Sequence, residues 1–332
     1  MATILAIESS CDDTSAAIIK DAIILSNGVA TQKLHEKYGG VVPEIASRQH
    51  QINILPVVQE ALKEANVSKT ELDAIAVTRG PGLMGSLLVG ISFAKAMALS
   101  LNIPIIEVNH MQAHVLAHFI DPPQPKFPFL CLTVSGGHTQ IVLIKDPLTM
   151  KVLGNTKDDA AGELFDKSGK MLGLDYPAGP IIDKLAKHGQ EKFKFPEGKV
   201  NDLDFSFSGV KTAIRYFLRD NVNENPNFIA ENLNDICASI QANIVQTLIK
   251  KLKIAAKKLE IKEITIAGGV SANSALRKAL EKTGAELGWN TYIPKISYCT
   301  DNAAMIAMAA HYKYEAGLFA DQSIKPEARY CF

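Results

Sequence analysis

A two-lobed α/β fold with a hairpin opening each lobe is predicted for this 332-residue chain, and three observations predict it. Residues 4–19, ILAIESSCDDTSAAII, are echoed by residues 129–144, FLCLTVSGGHTQIVLI. Each reads as an apolar strand, a small or polar turn, a threonine and a second apolar strand. Ser10 aligns with Ser135 and Thr14 with Thr139. Strand and helix patterns also alternate through both halves, which implies layered α/β lobes. Pro122, Pro123, Pro125 and Pro128 cluster just before the second repeat, as a linker would. The expected lobes are 1–121, completed by a C-terminal helix at about 303–332, and 126–302. Their hairpin turns would face one cleft; a chance likeness between two ordinary hairpins is the alternative.

Taken in order, the first hairpin is followed by an amphipathic helix over 48–66 and a short strand over 73–78. RGPGLMGS is a glycine-rich turn into an apolar helix ending near residue 101. A strand over 103–108 and a helix over 109–119 close the first lobe. In the second lobe, 229–259 reads as two amphipathic helical segments. A strand over 262–267 then runs into Gly268-Gly269 and a helix over 272–287. Hairpins at the start of each lobe argue for mixed sheets over purely parallel ones.

Composition narrows the function classes. Lys+Arg 35 balance Asp+Glu 35, so a nucleic-acid role would need a local basic patch or a partner's. Lysines 184, 187, 192, 194, 199, 211 and those within 250–258 are candidates to track RNA phosphates. The opening MATILAIESSCDD carries acids where a leader carries bases. The apolar run 86–101 is short for a membrane span and holds Gly90 and Lys95. Five cysteines without a CxxC pair suit reduced thiols in a cytoplasmic protein.

Several segments could carry chemistry. His110, His114 and His118 stand at i, i+4 and i+8, and residues four apart on a helix lie about 6 Å apart at Cβ. Two imidazoles could therefore share a metal, although a polar helix face fits the same pattern. A zinc-peptidase site would place a glutamate directly after the first histidine, where this chain has Met111. TVSGGHTQ, 133–140, offers backbone N–H groups unhindered by Cβ, and His138 adds a possible donor or ligand. ITIAGGVSANSALR, 264–277, has a strand, paired glycines and a helix begun by Ser271 or Asn273, yet neither dinucleotide nor P-loop spacing. Asp301 in CTDNAAM either caps the following helix or completes a two-His, one-Asp metal set. DDAAGELFDKSGKMLGLDYPAGP, 158–180, and FSFSGVKT, 205–212, resemble binding loops.

In order along residues 4–305, IESSCDDTS, GGVVPEIASRQH, GPGLMGSLLVG, NHMQAH, VSGGHTQ, DDAAGELFDK, GLDYPAGP, FSFSGVKT, AGGVSANSALR and CTDNAAM resemble the bacterial branch of the tRNA adenosine threonylcarbamoyltransferase family, once catalogued as glycoprotease. The resemblance implies an actin/Hsp70/sugar-kinase-like fold. It implies transfer of a threonylcarbamoyl group from threonylcarbamoyl-AMP to N6 of adenosine 37, in tRNAs reading codons that begin with A, with release of AMP. It further implies one divalent metal, Fe2+ with Zn2+ as the alternative, on His110, His114 and Asp301. Thr133, Val134, Ser135, Gly136, Gly137, Asp166, Gly179, Asp183 and Asn273 would hold the adenylate. The implied partners are tRNA, a related non-catalytic paralogue and a small ATPase, with no membrane. Gln112 and Ala113 stand where many relatives have an HMEGH-like form. His118 has no family role and is expected at the surface or behind the ligands. No general base is evident, and His138 is the catalytic candidate. From the fold alone, an ATP-dependent sugar-kinase-like phosphotransferase is the rival, and an Hsp70-like nucleotide-binding module the third reading.

Overall fold

A computed structural model describes residues 2–200 and 202–330. The chain forms two compact units, one of Met1–Gln124, Asp146–Met150 and Pro294–Phe332, the other of Pro125–Lys145 and Lys151–Ile293.

In the first unit, β1 (Thr3–Glu8), β2 (Thr14–Lys20) and β3 (Ile23–Ala30) precede α1 (Pro43–Glu64). Then come β4 (Ala74–Gly80), α2 (Met84–Leu101), β5 (Ile105–Asn109) and α3 (His110–Leu116). The second unit runs β6 (Phe129–Val134), β7 (Thr139–Asp146) and β8 (Thr149–Asn155), with β7 and β8 joined through residues of the first set. It continues through α4 (Ala161–Met171), α5 (Ala178–Ala186), α6 (Ser208–Glu224), α7 (Phe228–Leu259), β9 (Glu263–Ala267), α8 (Ser274–Leu287) and β10 (Asn290–Tyr292). The last helix, α9 (Ala303–Glu315), belongs to the first unit.

Each unit holds a five-stranded mixed sheet of one order, β3-β2-β1-β4-β5 and β8-β7-β6-β9-β10. The first and central strand of each is antiparallel to its hairpin mate and parallel to the strand on its other side. The sequence echo extends to register: Ile4 faces Ile19 and Phe129 faces Ile144. All residues of β1 and of β6 are buried, which explains why both are continuous apolar runs instead of alternating ones.

Helix starts follow local chemistry. Pro43 opens α1, where a missing N–H is harmless. Asn109, Asn273 and Asn302 accept backbone N–H bonds at the starts of α3, α8 and α9. The cap of α9 is thus Asn302, and the Asp301 side chain is released from that role.

Three elements differ from the sequence expectation. Residues 228–259 form one continuous helix, α7, because no Pro or Gly interrupts them and Ile236, Ile240, Ile244, Leu248 and Leu252 keep one face buried. The helix begun at His110 is α-helical only to Leu116 and tightens to a 3-10 turn over Ala117–Phe119. This breaks the histidine stripe, and the burial of His118 removes the surface alternative of the two expected for it. Finally, α2 extends to Met84 and is long and apolar enough to cross a membrane by length and composition. Its Ile91, Ala94 and Ala98 face the first unit's core, alongside Leu5, Ile7, Val58 and Val77, and Leu87 is buried as well. Cys11, Cys131, Cys237 and Cys299 are free thiols; Cys331 lies outside the described residues.

Candidate active site

The end of β5 builds the histidine pair. Oδ1 of Asn109 accepts the N–H groups of Met111 and Gln112, at 2.9 and 3.1 Å. The helix therefore starts at His110 and carries His114 one turn later on the same face. The two rings meet edge to face, centroids 4.7 Å apart. Asp301 reaches both from the loop before α9, its Oδ1 lying 3.4 Å from Nε2 of His110 and 3.2 Å from Nε2 of His114. One ligand atom from each residue falls within a 4.8 Å cluster, all inside the first unit. His114 is 1% exposed; its Nε2 has only the Asp301 carboxylate beside it, and its Nδ1 has no hydrogen-bond partner among the described residues. A buried polar atom in that state is costly unless something else satisfies it. Two imidazole nitrogens and one carboxylate oxygen fit a divalent first-row metal with coordination positions left open.

A fourth residue, passed over in the sequence reading, stands behind the set. Glu8 ends β1 and is fully buried. One carboxylate oxygen accepts from Oγ1 of Thr78 at 2.6 Å and lies 3.0 Å from Nδ1 of His110. The other accepts the Ser10 N–H. Oγ of Ser10 is also 3.2 Å from His110 Nδ1. A carboxylate on Nδ1 holds the ring so that Nε2 faces the Asp301 side, as outer partners of metal-bound histidines do. The available signal was a glutamate closing an otherwise apolar central strand. Gly82 completes this corner: the Leu83 N–H donates to the Ser10 carbonyl at 2.7 Å, and a Cβ on Gly82 would meet that carbonyl at 2.4 Å.

Electrostatics follow from the crowding. Burial alone would lower the His110 pKa, but the Asp301 and Glu8 carboxylates outweigh it and hold the ring well above its ordinary value of 6.5. Burial dominates at His114 and keeps its pKa low, only partly offset by Asp301. Burial would raise the carboxyls of Asp301 and Glu8, yet both are held low by His110.

The remaining candidates lie in the second unit. Ser135 and His138 close the β6–β7 turn, Ser135 N–H donating to the His138 carbonyl at 2.8 Å and His138 N–H to Ser135 Oγ at 3.1 Å. Gly136 and Gly137 are exposed and have open space where a Cβ would stand. Thr133 and Val134 are fully buried in β6, so only their main chain can serve a ligand. The start of α4 backs this turn: a Cβ on Gly162 would meet the Ser135 carbonyl at 2.5 Å and Gly136 at 2.9 Å. One turn along α4, Asp166 Oδ1 accepts the Ala178 N–H at 2.9 Å, and the Gly179 N–H also bonds this carboxylate. Burial nonetheless pushes the Asp166 carboxyl up. Asp183, one turn beyond Gly179 on α5, accepts from the N–H and Oγ of Ser274 at 3.2 and 2.8 Å. Asn273 caps α8 with Oδ1 and donates Nδ2 to Gln241 at 2.7 Å. These hydrogen bonds thus tie α4 to α5, α5 to α8, and the start of α8 to α7.

The FSFSGVKT loop has a structural explanation. Asp158 accepts from the N–H groups of Phe207 and Ser208 and from the Oγ atoms of Ser206 and Ser208, tying the start of α6. Of the candidate RNA lysines, Lys187, Lys192, Lys211, Lys250 and Lys258 pair with Asp183, Asp235, Asp159, Glu197 and Asp202.

The family model for tRNA N6-adenosine threonylcarbamoyltransferase (TsaD) matches residues 23–308. The chain belongs to this family. It is 60% identical to the tRNA N6-adenosine threonylcarbamoyltransferase of Riemerella anatipestifer, covering 98% of this chain and 97% of that protein. To that of Phocaeicola vulgatus it is 61% identical, covering 94% of each. Among solved structures, full-length HypF in its phosphate- and nucleotide-bound form matches with a TM-score of 0.63 at 12% identity, over 96% of this chain and 47% of that one. At that identity the likeness speaks for the actin-like fold alone. As a tRNA N6-adenosine threonylcarbamoyltransferase family member the protein is a tRNA-modifying transferase, and the sugar-kinase and Hsp70-like readings are set aside. The family's tRNA acceptor is the substrate that the site has to serve.

Proposed function

We propose that the chain moves the threonylcarbamoyl group of threonylcarbamoyl-AMP onto N6 of adenosine 37, in tRNAs reading codons that begin with A. The observation that carries the metal-assisted form of this reading is the meeting of His110, His114 and Asp301, two imidazoles and a carboxylate converging with Nδ1 of the buried His114 unsatisfied. The metal is Fe2+, with Zn2+ as the alternative. When bound there it supplies a Lewis acid and template with open positions.

The chain's own groups account for the rest. Glu8 and Ser10 orient His110, and Asn109 sets the pitch at which His114 follows. The Gly136 and Gly137 amides, unshielded by side chains, are suited to the negative charge that develops as the amine attacks. Asp166, Gly179, Asp183 and Asn273 line the adenylate side. The N–C bond forms as the bond from the carbamoyl carbon to the phosphate oxygen breaks; AMP leaves with that electron pair. N6 gives up a proton, for which His138 is the candidate acceptor. Adenosine 37 is in a single-stranded loop, where a base can be splayed into a pocket. The working assembly includes a related non-catalytic paralogue and a small ATPase in the cytoplasm.

The test is reconstitution with threonylcarbamoyl-AMP, those partners and unmodified tRNA, reading position 37 nucleosides by mass spectrometry. Wild type should yield the modified adenosine, while His110→Ala and Asp301→Asn should lose both metal and product. A folded, metal-loaded complex that yields none would overturn the reading.

A further inference from the structure

A groove in the second unit carries charge that the transfer site does not use. Lys167, Lys170 and Met171 of α4 face Lys211, Thr212 and Arg215 of α6 across a cavity of about 420 Å³. It continues past Met171 and Arg215 to Leu218, Arg219 and Val222, beside Ile229. Lys211, Arg215 and Arg219 stand at i, i+4 and i+8, so one face of α6 presents a cationic row, about 6 Å from one charge to the next. Like charges at this spacing weaken a helix. Two are offset locally: Lys211 pairs with Asp159 at 2.6 Å and Arg219 with Asp220 at 2.7 Å. Lys167 is likewise held by Glu163 and Asp159. Among the described residues, Lys170 and Arg215 have no carboxylate partner, and both are exposed. Next to the groove on α6, outside its lining, Tyr216 is 44% exposed, with the Arg215 and Arg219 guanidinium groups 5.4 and 4.8 Å from its ring centre.

We infer that this α4–α6 groove is a contact surface for the tRNA, its phosphates bound by Lys170 and Arg215 and an unpaired base or sugar edge resting on Tyr216. The inference rests on the tRNA-modifying reading and adds a place on the chain to it. Concave cationic walls suit a polyanion, and an exposed aromatic between two arginines is a platform for nucleotide stacking. An acidic protein would find the charge but no use for that platform. The chain as a whole has no net charge, so an RNA site must be local. Position agrees, because α4 passes from this groove to Gly162, directly behind the Ser135–Gly136 turn.

The experiment measures tRNA binding to the complex competent for transfer, by fluorescence anisotropy between about 50 and 200 mM salt. Wild type is compared with Lys170→Ala/Arg215→Ala and with Tyr216→Leu. Neither variant touches the histidine set or the glycine turn. The double variant should bind roughly tenfold more weakly, with a salt slope smaller by about 2. Its KM for tRNA should rise while kcat at saturating tRNA is kept. Tyr216→Leu should weaken binding with the slope unchanged. Unaltered affinity and slope in an active complex would overturn the groove alone. Variants that keep tRNA binding but lose a protein component would mean an acidic protein occupies it, also overturning the inference. A wild-type complex that neither binds nor modifies tRNA would remove this inference together with the reading beneath it.

Discussion

The Glu8 carboxylate lies 3.0 Å from Nδ1 of His110, across 102 residues of chain, so the first strand orients the first histidine of α3. Replacement by glutamine keeps the shape and removes the charge. Glu8→Gln should lower divalent-metal affinity about 10- to 100-fold, the usual effect of losing an outer carboxylate. Competition with a chromophoric chelator measures it. Wild-type affinity in the variant would show that Glu8 is only a structural anchor.

Asp301 is the candidate ligand brought from farthest along the chain. Asp301→Asn and His114→Ala should both reduce bound metal to well below one equivalent while leaving the far-UV circular dichroism unchanged. The fold should survive because Asn302, not Asp301, caps α9. Metal content by mass spectrometry of the purified proteins decides the matter.

The pH dependence has a definite sign. In the metal-free protein, His110 is held well above 6.5, so its contribution to stability is full below that pH and is lost as pH rises through the folded value. Asp301 is held below 3.8, so its contribution is present above that pH and fades as pH falls through the folded value. The stability difference between wild type and His110→Gln should therefore be largest from about pH 4 to 6.5 and shrink in alkali. Thermal denaturation without metal, run as a pH series, reads it. Metal affinity should instead climb with pH, since His110 must shed its proton to bind.

Two glycines separate backbone strain from ligand access. Gly268 has φ +86°, and a Cβ there would meet the Val134 carbonyl at 2.4 Å. Gly268→Ala should lose about 2 kcal/mol or more in urea denaturation, from the sum of conformational strain and clash. Gly137 faces open space, so Gly137→Ala should stay within about 0.5 kcal/mol of wild type. Its transfer rate should nevertheless fall, if the turn amides serve the reaction.

Asp158 ties four donors at the start of α6. Asp158→Ala should destabilise the protein by about 1–2 kcal/mol, as removal of a helix-start acceptor does. Burial would raise this carboxyl, but the Ser206 and Ser208 hydroxyls and backbone donors hold it low. Its stabilisation is thus present above 3.8 and lost as the pH falls through its folded value. Chemical denaturation at neutral and acid pH, on wild type and variant, should show the difference closing in acid.

Local pattern by itself determined much of this protein. Buried central strands read as apolar runs, glycine pairs marked the turns, and the repeat of ILAIESS in FLCLTVS pointed to a duplicated hairpin unit, whose common strand order only the structure shows. The His110–His114 pair was legible because helical spacing alone puts residues four apart on one face. What tertiary structure decided was every relationship across long stretches of chain. Asp301 could be cap or ligand until Asn302 was seen to hold the cap and the Asp301 carboxylate was seen beside both histidines. Glu8 passed for an ordinary acid because its burial depends on Thr78 and His110, which reach it only once β1 and β4 pair. The break at Ala117 and the burial of His118 likewise come from packing. The α4–α6 groove joins residues some forty positions apart, and no periodicity within either helix reveals what the other places opposite. Periodicity encodes which face of an element is buried; it carries no record of what that face will meet.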